Sequence, residues 1–323
     1  MENKIYHILN EMSEVLTIQQ MRVLQTTLIK YMSGGETLAV QEISNTEYLD
    51  MFIAAKRIEG CSERTIEYYR VTIVHMLNKM NIPIRQITTE DLREYLTQYQ
   101  QNSKCGKVTI DNIRRNLSSF FSWLEAEDHI LKSPIRRIHK VRTGTKVKET
   151  FTDENIELLR DNCKQIRDLA MIDLLYSTGI RVGELVNLNI EDINFEEREC
   201  VVYGKGNKER TVYFDARTKI HLQEYIKTRK DNNPALFVTL DKPYERLQIS
   251  GVEIRLRKLG RELNIERVHP HKFRRSMATK AIDKGMPIEQ VQRLLGHQQI
   301  DTTMHYAMVN QNNVRNSHRK YIA

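Results

Sequence analysis

Apolar positions recur at helical spacing from the first residues of this chain. Ile5, Ile8, Leu9, Met12, Val15 and Leu16 share one face, and Met21, Leu24, Leu28 and Met32 form a second stripe that stops at Gly34-Gly35. Residues 1–45 therefore read as a helical extension, either a partner-binding arm or a plain packing element. Residues 46–135 read as a compact helical domain. Ser62 stands where a helix needs a cap, ahead of the inward face Ile66, Tyr69, Ile73, Met76 and Leu77. Pro83 breaks the chain, and Thr88-x-x-Asp91 has the form of a capping box before Leu92, Tyr95 and Leu96. A long helix follows with Ile110, Ile113, Leu117, Phe120, Phe121 and Leu124 on one stripe, where aromatic residues belong to a core rather than to a base-stacking surface.

The pattern then changes. Residues 136–149 carry Arg136, Arg137, Lys140, Arg142, Lys146 and Lys148 without apolar periodicity, which predicts a basic linker suited to lying along phosphates or a solvated charge run. Beyond it, residues 150–323 read as a second domain. Thr152 precedes a helix with Asp153 and Glu154 in its first turn, and Leu169 to Tyr176 is a buried helical run closed by Gly179. Cys200-Val201-Val202-Tyr203 and Thr211-Val212-Tyr213-Phe214 flank Gly204-Lys205-Gly206-Asn207-Lys208, two β-rich arms about a glycine-rich turn. The fold class predicted is mainly α with a small antiparallel β-sheet.

Composition narrows the partners. Lys and Arg number 50 against 42 acids, a formal charge of +8, which favours polyanions and nucleic acid first. No apolar run reaches membrane-spanning length and Met1-Glu2-Asn3-Lys4 lacks a secretory pattern, so no membrane partner and a cytoplasmic location are expected. Cys61, Cys105, Cys163 and Cys200 are widely spaced, which argues against a zinc site and against structural disulfides.

Four short motifs in the second domain could carry chemistry, and each has an ordinary structural explanation on its own. Arg181 follows Gly179 at the start of a helix, where a guanidinium can join backbone N–H groups in gripping an anion, and Glu184 could support it. Lys205 lies between two glycines on the hairpin turn, able to reach a cleft or a DNA groove, with Lys208 and Arg210 as candidate DNA contacts nearby. His271 and Arg274 share one helix face behind Pro270, able to present a proton-transfer group and an anion clamp to one phosphate. Phe273 turns to the core, while Lys272 and Arg275 point to the DNA backbone or solvent. Finally, Leu294-Leu295-Gly296-His297 precedes Tyr306, with Asp301 or Thr302 placed to cap the helix that carries the tyrosine.

In that order the motifs resemble the tyrosine recombinase (phage integrase) family, most nearly its compact Xer-like and mobile-element members. The likeness runs from about residue 46 onward. Thr65-Ile66-Glu67-Tyr68-Tyr69 and Phe120-Phe121-Ser122-Trp123-Leu124 look like parts of the family's core-binding domain. The resemblance implies a two-domain DNA clamp, a helical core-binding (SAM-like) domain ahead of an α+β catalytic domain with a C-terminal tail. It casts Arg181 and Arg274 as clamps on the scissile phosphate, Lys205 as the hairpin lysine, His271 and His297 as the two histidines, Tyr306 as nucleophile and Glu184 as the supporting acid. Arg136, Arg137, Lys140 and Arg142 then become DNA-backbone contacts.

Phosphoryl transfer is mainly positioning and charge stabilisation, which suits two rigid guanidinium forks with His297 as a further donor. A phenol of pKa about 10 needs a base or a strong positive field to attack near neutrality, and His271 is the candidate acceptor. In the family the attack leaves a 3′-phosphotyrosyl link, with Lys205 as acid for the departing 5′ oxygen. That link keeps the phosphodiester energy, so no ATP, metal ion or other cofactor is expected. The implied partners are double-stranded recombination sites, a homotetramer on two of them through a Holliday junction, and accessory proteins. The tail after Tyr306, with Met308, Val309, Val314, Tyr321 and Ile322, is expected to dock on a neighbouring subunit. The extra N-terminal helices tilt the expectation toward a mobile-element integrase. A type IB topoisomerase and a non-catalytic DNA-binding regulator are the alternatives.

Overall fold

The computed structural model describes residues 2–13, 15–32, 43–142, 149–204, 209–297, 299–300 and 303–304. The chain divides into two compact units, residues 1–145 and 146–323. Among the described residues, no helix is long and apolar enough to cross a membrane.

In the first unit, α1 (Glu2–Met12) and α2 (Ile18–Met32) pack on each other. Ile5 is buried and Leu9, Met12, Leu16, Met21, Leu24 and Leu28 are half-buried, so the stripes read from the sequence are the covered sides, with Ile8 and Val15 as exposed exceptions. The helices α3 (Asn45–Ile58), α4 (Glu63–Met80), α5 (Thr89–Ser103) and α6 (Lys107–Ala126) follow. Ser44, Ser62 and Thr88 cap the first three through their side-chain oxygens, and Asp91 closes the box expected at Thr88. The apolar faces meet in a core that includes Phe52, Ile73, Met76, Leu92, Leu117 and Phe120. Phe52 is packed edge-on against Tyr69, Phe120 and Trp123, the geometry that aromatic quadrupoles favour.

The basic stretch after α6 departs from the expectation of a linker beginning at residue 136. Ile138 and Val141 pack against this core, and the Val141 N–H donates to Asp111 Oδ1 at 3.0 Å. The chain is thus fastened to the helical unit as far as Val141. Two apolar residues suffice for this, too few to give a periodic signal among so many cations. Arg136, Arg137, Lys140 and Arg142 are all exposed. Gly144, Lys146 and Lys148 lie outside the described residues.

The second unit is built on α8 (Ile166–Thr178), whose residues 170–175 are all buried and which is flanked by α7 (Asp153–Asp161), α10 (Ala216–Thr228) and α12 (Pro270–Asp283). Thr152 caps α7 as expected. Buried inside α8, Asp173 is paired with Arg160 of α7 at 2.6 Å and with His221 of α10, tying three helices through one carboxylate. After α9 (Val182–Asn187) comes an antiparallel sheet in the order β1 (Ile193–Asn194), β2 (Glu199–Tyr203), β3 (Glu209–Tyr213). The hairpin arms pair with Cys200 opposite Val212 and Val202 opposite Arg210, apolar side chains inward. The two-residue β1 was too short to announce itself as an alternating pattern. The helices α11 (Ile249–Glu262) and α13 (Ile288–Leu295) complete the unit. Cys200 is buried and the other three cysteines are half-buried, all as free thiols.

Candidate active site

The site is built where three helix ends meet. Gly179 ends α8 in the left-handed conformation with φ +63°, and Gly296 ends α13 the same way with φ +63°. Each leaves unpaired carbonyls at its helix terminus, and two arginines take them up. Arg274, on α12 and almost fully buried, donates from Nη1 to Gly179 O at 2.7 Å and from Nη2 to Leu295 O at 2.5 Å. Arg181, the residue immediately before α9, donates from Nη2 to Gly296 O at 3.2 Å. Two guanidinium groups, one from α12 and one from the residue ahead of α9, thus meet at consecutive carbonyls.

Glu184 fixes Arg181 from behind. One carboxylate oxygen accepts from Arg181 Nη1 at 2.9 Å and the other from the Arg181 backbone N–H at 2.7 Å. The same carboxylate receives both Nη atoms of Arg210 at 2.8 Å each, a bidentate pair. Burial alone would raise the Glu184 pKa, but the hydrogen bonds from Arg210 and Arg181 outweigh it and hold the carboxyl below its ordinary range.

Arg210 corrects the sequence reading. Expected as a DNA contact on the hairpin, it points inward with a side chain 12% exposed, and its Nε donates to Leu294 O at 3.0 Å. It lies so close beneath Gly296 that a Cβ there would meet its side chain at 3.0 Å. Strand alternation held the signal, since Arg210 stands two residues before buried Val212 on β3. Lys272 is a second correction. It is 5% exposed, its Nζ donates to Glu266 O at 2.9 Å and lies 4.5 Å from the centroid of the Phe151 ring, so it offers no surface charge to DNA. Arg275 is likewise engaged, with Nε and Nη2 both donating to Glu149 O, which fastens the start of the unit to α12.

His297 follows Gly296 and is half-buried. Its Nε2 lies 3.0 Å from Arg274 Nη2, and its Nδ1 lies 2.8 Å from Thr303 Oγ1. Burial, then the charges of Arg274, Arg181 and Arg210, push its pKa down to about 4, so the ring is neutral near pH 7. A guanidinium only donates, so Nε2 accepts in this arrangement. Phe273 is fully buried, as expected, and His271 is exposed on the first turn of α12, one turn before Arg274. His271 lines a cleft of about 870 Å³ together with His269, Arg257, Arg261 and Arg267. Those three exposed arginines were missed in the sequence, where nothing distinguishes them from other surface cations. Lys205, Lys208, Asp301, Thr302, Tyr306 and the tail beyond it lie outside the described residues.

Comparison with known proteins gives this arrangement its context. Residues 149–313 match the phage integrase family, and residues 48–130 match the phage integrase N-terminal SAM-like domain. The tyrosine recombinase XerA of Pyrococcus horikoshii is 30% identical over 284 residues, which cover 87% of this chain and 95% of that protein. XerC of Leptospira interrogans is 31% identical over 290 residues, covering 86% and 93% respectively. Among solved structures, the Tn1549 transposon integrase in complex with transposon right end DNA has a TM-score of 0.72 at 18% identity, covering 85% of this chain and 99% of that one. The lambda integrase dimer bound to a core site has a TM-score of 0.67 at 18% identity, covering 88% and 85%. These structural likenesses are of fold.

Proposed function

This chain belongs to the phage integrase family of tyrosine recombinases, enzymes of site-specific DNA recombination, and we propose that it cuts and rejoins DNA strands through Tyr306. The observation that carries this reading is the meeting of Arg181 and Arg274 at the consecutive carbonyls Leu295 O and Gly296 O, with Glu184 anchoring one guanidinium and His297 the other. Two fixed forks side by side suit the non-bridging oxygens of a phosphodiester, whose charge grows in the transition state.

In the proposed reaction the Tyr306 hydroxyl attacks phosphorus and gives its proton to His271. The bond from phosphorus to the 5′ oxygen breaks, and Lys205 protonates that oxygen to leave a free 5′-hydroxyl and a 3′-phosphotyrosyl link. A 5′-hydroxyl from a second duplex then attacks the same phosphorus and releases the tyrosine. One bond forms as one breaks in each step, so the exchange proceeds without ATP, and the fixed cations do the work for which a metal ion would otherwise serve. Exchange of two strand pairs through a Holliday junction requires a homotetramer on two double-stranded sites. Arg136, Arg137, Lys140 and Arg142, with Lys208 on the hairpin and Arg257, Arg261 and Arg267 beside His271, supply backbone contacts that hold the duplex without reading its sequence.

The test is a suicide substrate with a nick beside the cleavage site, incubated with protein and analysed under denaturing conditions. Wild type is expected to form a covalent protein–DNA adduct, and Tyr306→Phe to bind the same DNA without one. Sequence-specific binding with no adduct in the wild type would leave a DNA-binding regulator. Relaxation of supercoils without joining of two sites would point to a topoisomerase.

A further inference from the structure

Thr303 plays no part in the sequence reading, yet its side chain is fully buried and its hydroxyl is held against His297 Nδ1 at 2.8 Å. The direction of this hydrogen bond follows from the opposite side of the ring. Arg274 Nη2 lies 3.0 Å from Nε2, and since a guanidinium has no lone pair to offer, Nε2 must present its own. A neutral imidazole with an unprotonated Nε2 carries its proton on Nδ1. Thr303 Oγ1 is therefore the acceptor, and donation runs from Arg274 to His297 to Thr303.

The chain of bonds begins at the Arg274 guanidinium. Arg274 also donates to Gly179 O and Leu295 O, and the ring nitrogen of His297 is a further constraint on the plane of its fork. We infer that Thr303 is a positioning residue for DNA cleavage, fixing the ring and the tautomer of His297 and through it the guanidinium of Arg274. The inference rests on the proposed role of Arg274 as a phosphate clamp. Thr303 also stands three residues before Tyr306 in the sequence.

If Thr303 merely fills space, valine serves equally well. If its oxygen matters, valine takes away the acceptor that Thr303 gives the Nδ1 proton, and moving that proton to Nε2 sets it against the N–H of Arg274. The experiment compares Thr303→Val and Thr303→Ser with wild type in three measurements: adduct formation on the nicked substrate at saturating protein, DNA affinity, and the imidazole ¹⁵N spectrum of His297. Thr303→Val is expected to slow adduct formation by roughly tenfold or more, the size of effect that an unsatisfied buried donor produces, with DNA affinity unchanged. Thr303→Ser is expected to restore the rate. The wild-type spectrum is expected to show a protonated Nδ1 and a bare Nε2, with mixed tautomers in the valine variant. A wild-type rate in Thr303→Val overturns the inference, and so does a wild-type ring protonated at Nε2. The latter result decides the matter even if the valine variant does not fold. Absence of any adduct in wild type would defeat the recombinase reading instead, while the ¹⁵N spectrum still judges the hydrogen-bond chain.

Discussion

Glu184 carries the negative charge on which two guanidinium groups converge, and its removal should be felt both in stability and in chemistry. Glu184→Gln keeps the shape but leaves Arg210, only 12% exposed in its side chain, facing a neutral amide. Breaking a buried pair from one side costs on the order of 3 kcal/mol, so thermal unfolding of the 146–323 unit should shift down and adduct formation should slow as Arg181 loosens. Unchanged values in both would show that Glu184 is a bystander. Because its folded pKa is depressed, the stability it contributes is complete above its ordinary value near 4.5 and is lost as pH falls through the lower folded value. The acid-side slope of stability should therefore be shallower in the glutamine variant. His297 gives a second pH signature with the same sign. Between its ordinary 6.5 and about 4 the unfolded chain takes a proton that the folded site refuses, so stability falls as pH drops through that window. An NMR titration should place the His297 midpoint near 4, and a midpoint near 6.5 would contradict the crowding of cations around the ring.

At the scale of elements, the site depends on how two helices stop. The left-handed end of α8 at Gly179 turns its carbonyl toward Arg274, and a Cβ there would lie 2.2 Å from Met277 Cε and 3.2 Å from Leu295 Cδ2. Gly285 is the natural control, since it has φ +92° but nothing within 4 Å of a built Cβ. Gly285→Ala should show only the backbone penalty, about 1 kcal/mol for a non-glycine residue in such a conformation. Gly179→Ala adds the displacement of Met277 and should be the more destabilising of the two by calorimetry, with slower adduct formation as well. Equal effects of the two substitutions would mean that the packing beneath Gly179 yields without cost. The β2–β3 hairpin is bound to the same framework, because Arg210 on β3 bridges to Glu184 on α9 and to Leu294 O on α13. A displacement of the hairpin would thus be transmitted to Arg181.

At the scale of the whole molecule, assembly on DNA is the property that separates a recombinase from a strand-nicking enzyme. Deletion of residues after about 310 is expected to weaken tetramer formation on paired sites more than binding to a single site, measured side by side in gel-shift titrations; unchanged tetramers would remove the tail from the mechanism. With a net charge of +8, binding should weaken steeply with salt as phosphate contacts displace counterions. Replacing Arg136, Arg137, Lys140 and Arg142 together by alanine should reduce the slope of log K against log salt by roughly 0.9 for each true phosphate contact. A slope equal to wild type would place these side chains away from the DNA.

Much of this protein is written locally. The caps at Ser62, Thr88 and Thr152, the stripe from Ile110 to Leu124, the hairpin arms and the glycine ends of α8 and α13 each depend on residues within a turn or two, so periodicity and capping chemistry predict them. The order of Arg181, the hairpin, His271, Arg274, His297 and Tyr306 was likewise legible, because it belongs to the sequence alone. Where each cation goes was decided only in three dimensions. Arg210 and Lys272 read as surface charges until β3 delivers one to Glu184 and the fold sets Phe151 and the Glu266 carbonyl beside the other. Ile138 and Val141 are too sparse to signal that they pack, and Thr303 acquires a role only because His297 and Arg274 are brought to it. The physical reason is common to all of them. A buried charge or hydroxyl goes where its partner is, and these partners come from elements far apart along the chain.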